Sequence, residues 1–244
     1  GVTVAAAKNL LRSRPTLIGS VMVARGEADA LLTGVVGRFH KKLGYVRSVI
    51  GLDPGVQSTA AMTGVINNQG VWFFLDTHVQ DDPTAEQIAE ATLQAAYRLK
   101  LFGIAPRIAL LSHSNFGRHE TPGALKMRKV RELLLKRVPK LNVDGEMQGD
   151  TAWDELLRQK IMPNSTLKGR ANLFVLPNLD SANIAYNMVR VVTEGVAIGP
   201  ILMGISKPVH ILTSSATPRR VLNMTAIAAV DAQIRAQMEG ERKG

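Results

Sequence analysis

Short, uninterrupted apolar runs alternate along the chain with segments of helical period. Residues 71–75, 108–111 and 173–176 each read as a strand buried on both faces, followed by polar residues and then a helical pattern. The clearest helix opens at Thr84, which forms a capping box with Gln87 and precedes a stripe of Ala85, Ile88, Thr92, Ala95, Leu99 and Phe102. Gly103 ends it, and Pro106 prevents its resumption. The turn Asn67-Asn68-Gln69-Gly70 is expected to join residues 59–66 to 71–75 as an antiparallel hairpin. Elsewhere the alternation predicts an α/β architecture with a largely parallel sheet. No internal repeat, low-complexity segment or long linker interrupts it.

In open α/β sheets, ligands sit beyond the carboxyl ends of strands. That selects residues 76–82, 112–117, 177–180 and 212–217 as candidate loops. Two are rich in hydroxyls and amides: Ser112-His113-Ser114-Asn115 and Thr213-Ser214-Ser215-Ala216-Thr217. Such groups bind phosphate oxygens and equally cap helices. The last helix breaks a local rule. Thr217 suits the N-cap and Pro218 the first turn, yet Arg219 and Arg220 follow where the helix dipole favours an acid. Two arginines beside free backbone N–H groups make an anion site; the alternative is that both point to solvent or pair with distant acids. From 221 to 230 the helix is apolar almost all round, which predicts that it is buried.

Composition narrows the functions. The chain has 244 residues, 30 basic and 20 acidic, for a net charge of +10, and 45% of its residues are hydrophobic. Its length suits one large domain or two lobes. With no cysteine there is no disulfide scaffold, thiolate nucleophile or thiolate-bound metal, which fits a reducing, cytoplasmic setting. The longest run of apolar residues, glycine and proline, 195–205, falls short of a membrane span, and residues 1–14 lack the apolar core of a secretory leader. The chain is expected to be soluble and cut from something longer.

A basic chain invites a polyanion. The densest basic segment, 126–140, interleaves Arg128, Lys129, Arg131, Lys136 and Arg137 with Leu125, Met127, Val130, Leu133 and Leu134, which reads as a solvated face over a core face. Aromatics are 5% of residues and do not interleave with the basic ones, so nucleic acid is not an expected partner. A phosphorylated small molecule remains. There is no dinucleotide fingerprint and no P-loop, and His119-Glu120 lacks the second histidine of a zinc helix, so no metal site is expected. The acids Asp144, Glu146 and Asp150, separated by Gly145 and Gly149, read as a turn with solvated carboxylates rather than an acid–base pair. Spacing alone assembles no Ser/His/Asp set.

Five collinear segments, Gly26-Glu27-Ala28-Asp29-Ala30, Asp82-Pro83-Thr84-Ala85-Glu86-Gln87, Val143-Asp144-Gly145-Glu146-Met147, Gly199-Pro200-Ile201-Leu202 and Lys207-Pro208-Val209, resemble the phosphotransacetylase family. Ser112-His113-Ser114-Asn115-Phe116-Gly117, Leu167-Lys168-Gly169-Arg170-Ala171-Asn172 and Pro208-Val209-His210-Ile211-Leu212-Thr213 resemble one branch, the C-terminal phosphotransacetylase-like region of hybrid NADP-dependent malic enzymes. Free-standing phosphotransacetylases have a glycine-rich stretch where residues 115–120 lie here. The resemblance implies two lobes of mostly parallel sheet flanked by helices, 1–56 with 201–244 and 57–200, the first incomplete at its start, related to the isocitrate/isopropylmalate dehydrogenase-like fold. It further implies a cleft for acetyl-CoA or CoA, and homo-oligomers.

Active family members use a serine and an arginine in a Ser-Arg-Gly turn, followed by an aspartate at the start of the last helix. The corresponding positions here are Thr213, Ser214 and Arg220, which inverts the charge pattern. A phosphate-binding arginine of active members falls on Gly44, with Arg47 one turn further on. No catalytic residue is therefore assigned. The resemblance implies an acetyl-CoA effector site drawing on Arg47, Ser112, Ser114, Asn115, Thr213, Ser214, Arg219 and Arg220. Malate oxidation to pyruvate, with NADP and a divalent metal, would belong to a malic enzyme portion of the same polypeptide. A competent phosphate acetyltransferase is the alternative, and a ligand-free oligomerisation module a third reading.

Overall fold

The computed structural model describes residues 3–241. The described residues divide into two compact units, those up to 59 together with those from 199 onward, and residues 60–198.

The first unit opens with helices α1 (Val4–Ser13) and α2 (Pro15–Ala24), then strand β1 (Leu31–Gly34) and helix α3 (Phe39–Val49). The second unit begins with β2 (Ala60–Asn67) and β3 (Gly70–Leu75), which pair antiparallel through Asn67↔Gly70, the hairpin expected from the sequence. Helix α4 (Ala85–Leu101) follows with its capping box formed and Ala85, Ile88, Thr92, Ala95 and Leu99 buried. Gly103, at φ 74°, turns the chain away. Next come β4 (Ile108–Leu111), α5 (Pro122–Arg137), β5 (Val143–Met147), the short helices α6 (Gly149–Trp153) and α7 (Glu155–Ile161), β6 (Leu173–Val175) and α8 (Leu179–Val192). Strand β7 (Val196–Met203) carries the chain out of the second unit, and β8 (Val209–Leu212) and α9 (Pro218–Glu241) complete the first.

In the second unit the sheet order is β5-β4-β6-β3-β2-β7, with β3, β6, β4 and β5 mutually parallel. Alternate side chains serve opposite faces. Trp72, Phe74, Leu111, Met147 and Phe174 pack with Ala152 of α6 and with Ala182 and Tyr186 of α8. Leu75 and Val175 point the other way, against Ile88 and Ala91 of α4. In the first unit β1 and β8 form a two-stranded parallel sheet, in register from Leu31↔Val209 to Gly34↔Leu212, against which α2, α3 and α9 pack. Gly34 is required there, because at φ 123° any Cβ would sit 2.2 Å from the Leu212 carbonyl oxygen.

Three expectations are overturned. Residues 143–147 are a fully buried strand rather than a solvated turn, with Asp144 and Glu146 only 3% and 1% exposed; of the three acids, Asp150 alone is exposed. On α5 the core face consists of Ala124, Met127, Val130 and Leu134, while Leu125 is exposed. Arg128 and Arg131 do not simply face solvent, for they reach inward to Glu146 and Asp144. Finally, α9 is not buried over 221–230: Met224 and Ala228 face the core, whereas Leu222 is 70% exposed. Its sheet has only two strands and covers only one stripe of the helix. Among the described residues no helix is long and apolar enough to cross a membrane.

Candidate functional site

In the first unit, β8 delivers the chain into the loop 213–217 at the carboxyl end of the sheet, where α/β proteins place ligands. The loop is tightened by the Ala216 N–H donating to the Thr213 carbonyl at 3.1 Å and by a 3.0 Å bond between the Thr213 and Ser215 hydroxyls. The Thr217 hydroxyl then accepts the Arg220 N–H at 3.2 Å, capping α9 as the sequence predicts. No acid lies in the first turn of α9. Ser214 and Arg219 are exposed, and Thr213 and Arg220 half-buried.

Because β1 and β8 are parallel and end in register, the turn after β1 adjoins this loop. Sequence reasoning missed that turn, Val35-Val36-Gly37-Arg38, which leads into α3. Its signal was two glycines, Gly34 and Gly37, straddling two exposed valines; both glycines and Val35 adopt positive φ. Gly44 is exposed, and a Cβ built there meets nothing within 4 Å. Arg47 lies exposed in the last turn of α3, about 12 Å along the axis from the end that follows β1.

In the second unit the loop after β4 is spent on internal bonds. The Ser114 hydroxyl donates to Glu146 Oε1 at 2.9 Å and accepts the His119 N–H at 3.1 Å. Ser112 Oγ accepts the Ser114 N–H at 2.8 Å. Asn115 donates through Nδ2 to Gln148 Oε1 and accepts the Gln148 N–H through Oδ1, both at 2.8 Å. Ser114 and Asn115 are buried, while Ser112 is half-buried.

Beneath this loop lies a network that the sequence reading did not anticipate. Glu146 accepts from Arg128 Nε at 3.0 Å and from the Gly117 N–H at 2.8 Å. Asp144 accepts from Arg131 Nε at 2.8 Å and from Ser165 Oγ and the Thr166 N–H at 2.7 Å each. A cavity of about 330 Å³ runs past both pairs, lined also by Phe116, Glu132 and Met162. The signal was two arginines three apart on a helix opposite two acids two apart on a strand. Each carboxylate is matched by a guanidinium, so the network's chemistry is structural.

Asp76, at the end of β3, is a further buried carboxylate. Its oxygens accept the N–H groups of Ala61, His78, Val79 and Gln80 at 3.0–3.2 Å, which folds the loop 76–80 around it. Burial outweighs those bonds and pushes its pKa up to about 6. Among the described residues no group of three His, Cys, Asp or Glu side chains is placed to hold a metal ion.

Comparison with known proteins fits this framework. The chain is 50% identical over 234 residues to an NADP-dependent malic enzyme of Escherichia coli, a match covering 96% of this chain and 31% of the relative. It is 31% identical to a phosphate acetyltransferase of Nitratidesulfovibrio vulgaris, over 96% of this chain and 33% of the relative. The chain thus spans about a third of the length of these curated relatives. A phosphotransacetylase structure from Streptococcus pyogenes superposes with a TM-score of 0.88 at 31% identity, covering 94% of this chain and 70% of that one. The profile described as phosphate acetyl/butaryl transferase matches residues 1–229, and the chain belongs to that family.

Proposed function

We propose that this chain is a regulatory and oligomerisation domain of an NADP-dependent malic enzyme, and that it binds acetyl-CoA as an allosteric effector in a phosphotransacetylase site that has lost its chemistry. Malate oxidation and decarboxylation, with NADP and a divalent metal, belong to the rest of that polypeptide. The observation that carries the reading is the start of α9: a Thr217-capped helix N-terminus with Arg219 and Arg220 in its first turn and no acid. Acyl transfer to phosphate needs a group that can take the proton of the coenzyme thiol, and an arginine cannot. Two cations beside a positive helix end instead suit the phosphates of the coenzyme.

Thr213, Ser214, Arg219 and Arg220 are assigned to those phosphates, with Arg47 a more distant cation on α3. All three of the second unit's assigned residues already serve internal partners, and Ser112 differs only in being half-buried where Ser114 and Asn115 are buried. Regulation requires that acetyl-CoA bind two arrangements of the enzyme with different affinity, and inhibition is the expected sign.

Calorimetric titration of the wild type and Arg220→Asp with acetyl-CoA tests the assignment. Loss of a charge-assisted phosphate contact, with a repelling carboxylate added, is expected to weaken binding by about tenfold or more. Unchanged affinity in Arg220→Asp would overturn it.

A further inference from the structure

Helix α9 packs on the β1–β8 sheet along one seam spaced at three and four residues. Met224, Ala228 and Asp231 are buried in it, and Arg220 and Arg235 are half-buried at its ends. An acid in that seam has no hydrophobic reason to be there. It faces His210, which is fully buried on β8. His210 Nδ1 accepts the Leu202 N–H at 3.2 Å, so in the neutral ring the proton sits on Nε2, and Nε2 lies 3.8 Å from Asp231 Oδ2. Asp231 Oδ1 lies 3.5 Å from Arg235 Nε. Arg235 in turn donates to Asp53 at 3.1 Å and to the carbonyls of Ile205 and Ser206 at 2.9 Å each. An imidazole, two carboxylates and a guanidinium thus form one chain from β8, through α9, to the loop that precedes β2.

We propose that His210 and Asp231 are positioning residues, which fix the register of α9 on β8 and so aim Arg220 at the phosphates of the ligand. The apolar members of the seam do not fix it by themselves, because Ala228 is small and Met224 is adaptable. The polar pair does. A helix shifted by one residue would bury Asp231 away from the imidazole and set His210 against an apolar side chain, and a buried polar pair of this kind specifies one arrangement rather than adding stability. Arg220 stands eleven residues before Asp231, close to three full turns, so the two share a face and a pin at one sets the direction of the other about 16 Å away. The half-burial of Arg220 fits that placement, whereas Arg219, about 100° round the helix, is exposed. His210 also lies three residues before Thr213 on the same strand, so the pin ties together the two ends of the loop 213–217. The inference rests on the assignment of Arg220 to the phosphates.

Calorimetric titration with acetyl-CoA tests it, with urea unfolding to verify folding, for the wild type, the double variant His210→Leu/Asp231→Val, Arg220→Ala and the three changes combined. An apolar pair is expected to keep the fold, since Arg235 retains Asp53 and its two carbonyls. The double variant is expected to bind about tenfold more weakly, as Arg220→Ala does. The combined variant is expected to match Arg220→Ala within about twofold, because a pin acts only through the residue it aims. His210→Asn keeps an acceptor for the Leu202 N–H but lacks the far ring nitrogen, and gives the same reading should the double variant not fold. Full affinity in the pin variants, or a loss that adds to that of Arg220→Ala, overturns the positioning role while leaving Arg220 assigned. Full affinity in Arg220→Ala, or no binding by the wild type, overturns the assignment and this inference with it.

Discussion

The loop after β4 and the loop after β8 are both hydroxyl-rich and both end a buried strand, yet Ser114 in the first is 1% exposed while Ser214 in the second faces solvent. The difference lies in what each loop runs against. The β4 loop lies along β5, whose Glu146 and Met147 supply acceptors to Ser112, Ser114, Phe116 and Gly117. The β8 loop belongs to a two-stranded sheet and is tightened by the Thr213–Ser215 hydroxyl bond within its own turn and by the Thr217 cap of α9. Identical residue types therefore tie a buried loop to its neighbouring strand in one unit and lie at a solvent-facing turn in the other.

Four substitutions or titrations would break or sharpen this contrast. The largest effect is expected for Glu146→Ala, which leaves Arg128 Nε, the Ser114 hydroxyl and the Gly117 N–H without their acceptor and should cost about 3–5 kcal/mol. Urea unfolding measures it, and a loss below about 1 kcal/mol would remove the structural role assigned to the β4 loop.

A pH series tests the second unit's other buried carboxylate. Asp76 titrates at about 6 when folded and near 3.8 when free, so the folded chain holds its proton more tightly. The associated stability is complete below pH 4 and is lost as the pH rises through 6, about 3 kcal/mol in all. Asp76→Asn should lack that dependence; an equal slope in wild type and variant would contradict it.

Around the β8 loop, stability effects should be small. Thr217→Ala removes the α9 cap and is expected to cost about 1 kcal/mol in thermal unfolding. Arg219→Asp places an acid at a helix N-terminus and should stabilise the fold by about 0.3–1 kcal/mol while weakening acetyl-CoA binding. That opposition of signs marks a residue kept for binding; a variant that loses both stability and affinity would assign Arg219 to the fold.

Local chemistry was the legible part of the sequence. The Thr84 capping box, the Asn67–Gly70 turn and the β3, β4 and β6 runs depend on neighbours a few residues away, and each is found where the spacing predicts it. What failed depended on distant partners. Asp144 and Glu146 resemble a solvated turn until α5 brings Arg131 and Arg128 over β5, at which point burial becomes tolerable. The all-round apolarity of 221–230 implies burial only where a broad sheet lies beneath, and β1 with β8 is narrow. The candidate residues were legible only as types: the positions of Ser112, Ser114, Asn115, Thr213 and Ser214 mark loops, but which side chains are already engaged is decided by β5 for Ser114 and by Gln148 for Asn115.

The central claim, an effector site without turnover, meets its most direct test in the wild-type chain titrated with acetyl-CoA, with phosphate then added to the same sample and free CoA followed. Saturable binding of acetyl-CoA with no phosphate-dependent release of CoA is the predicted result. Release of CoA upon phosphate addition, with acetyl phosphate formed in equal amount, would contradict the account and make the chain an active phosphate acetyltransferase.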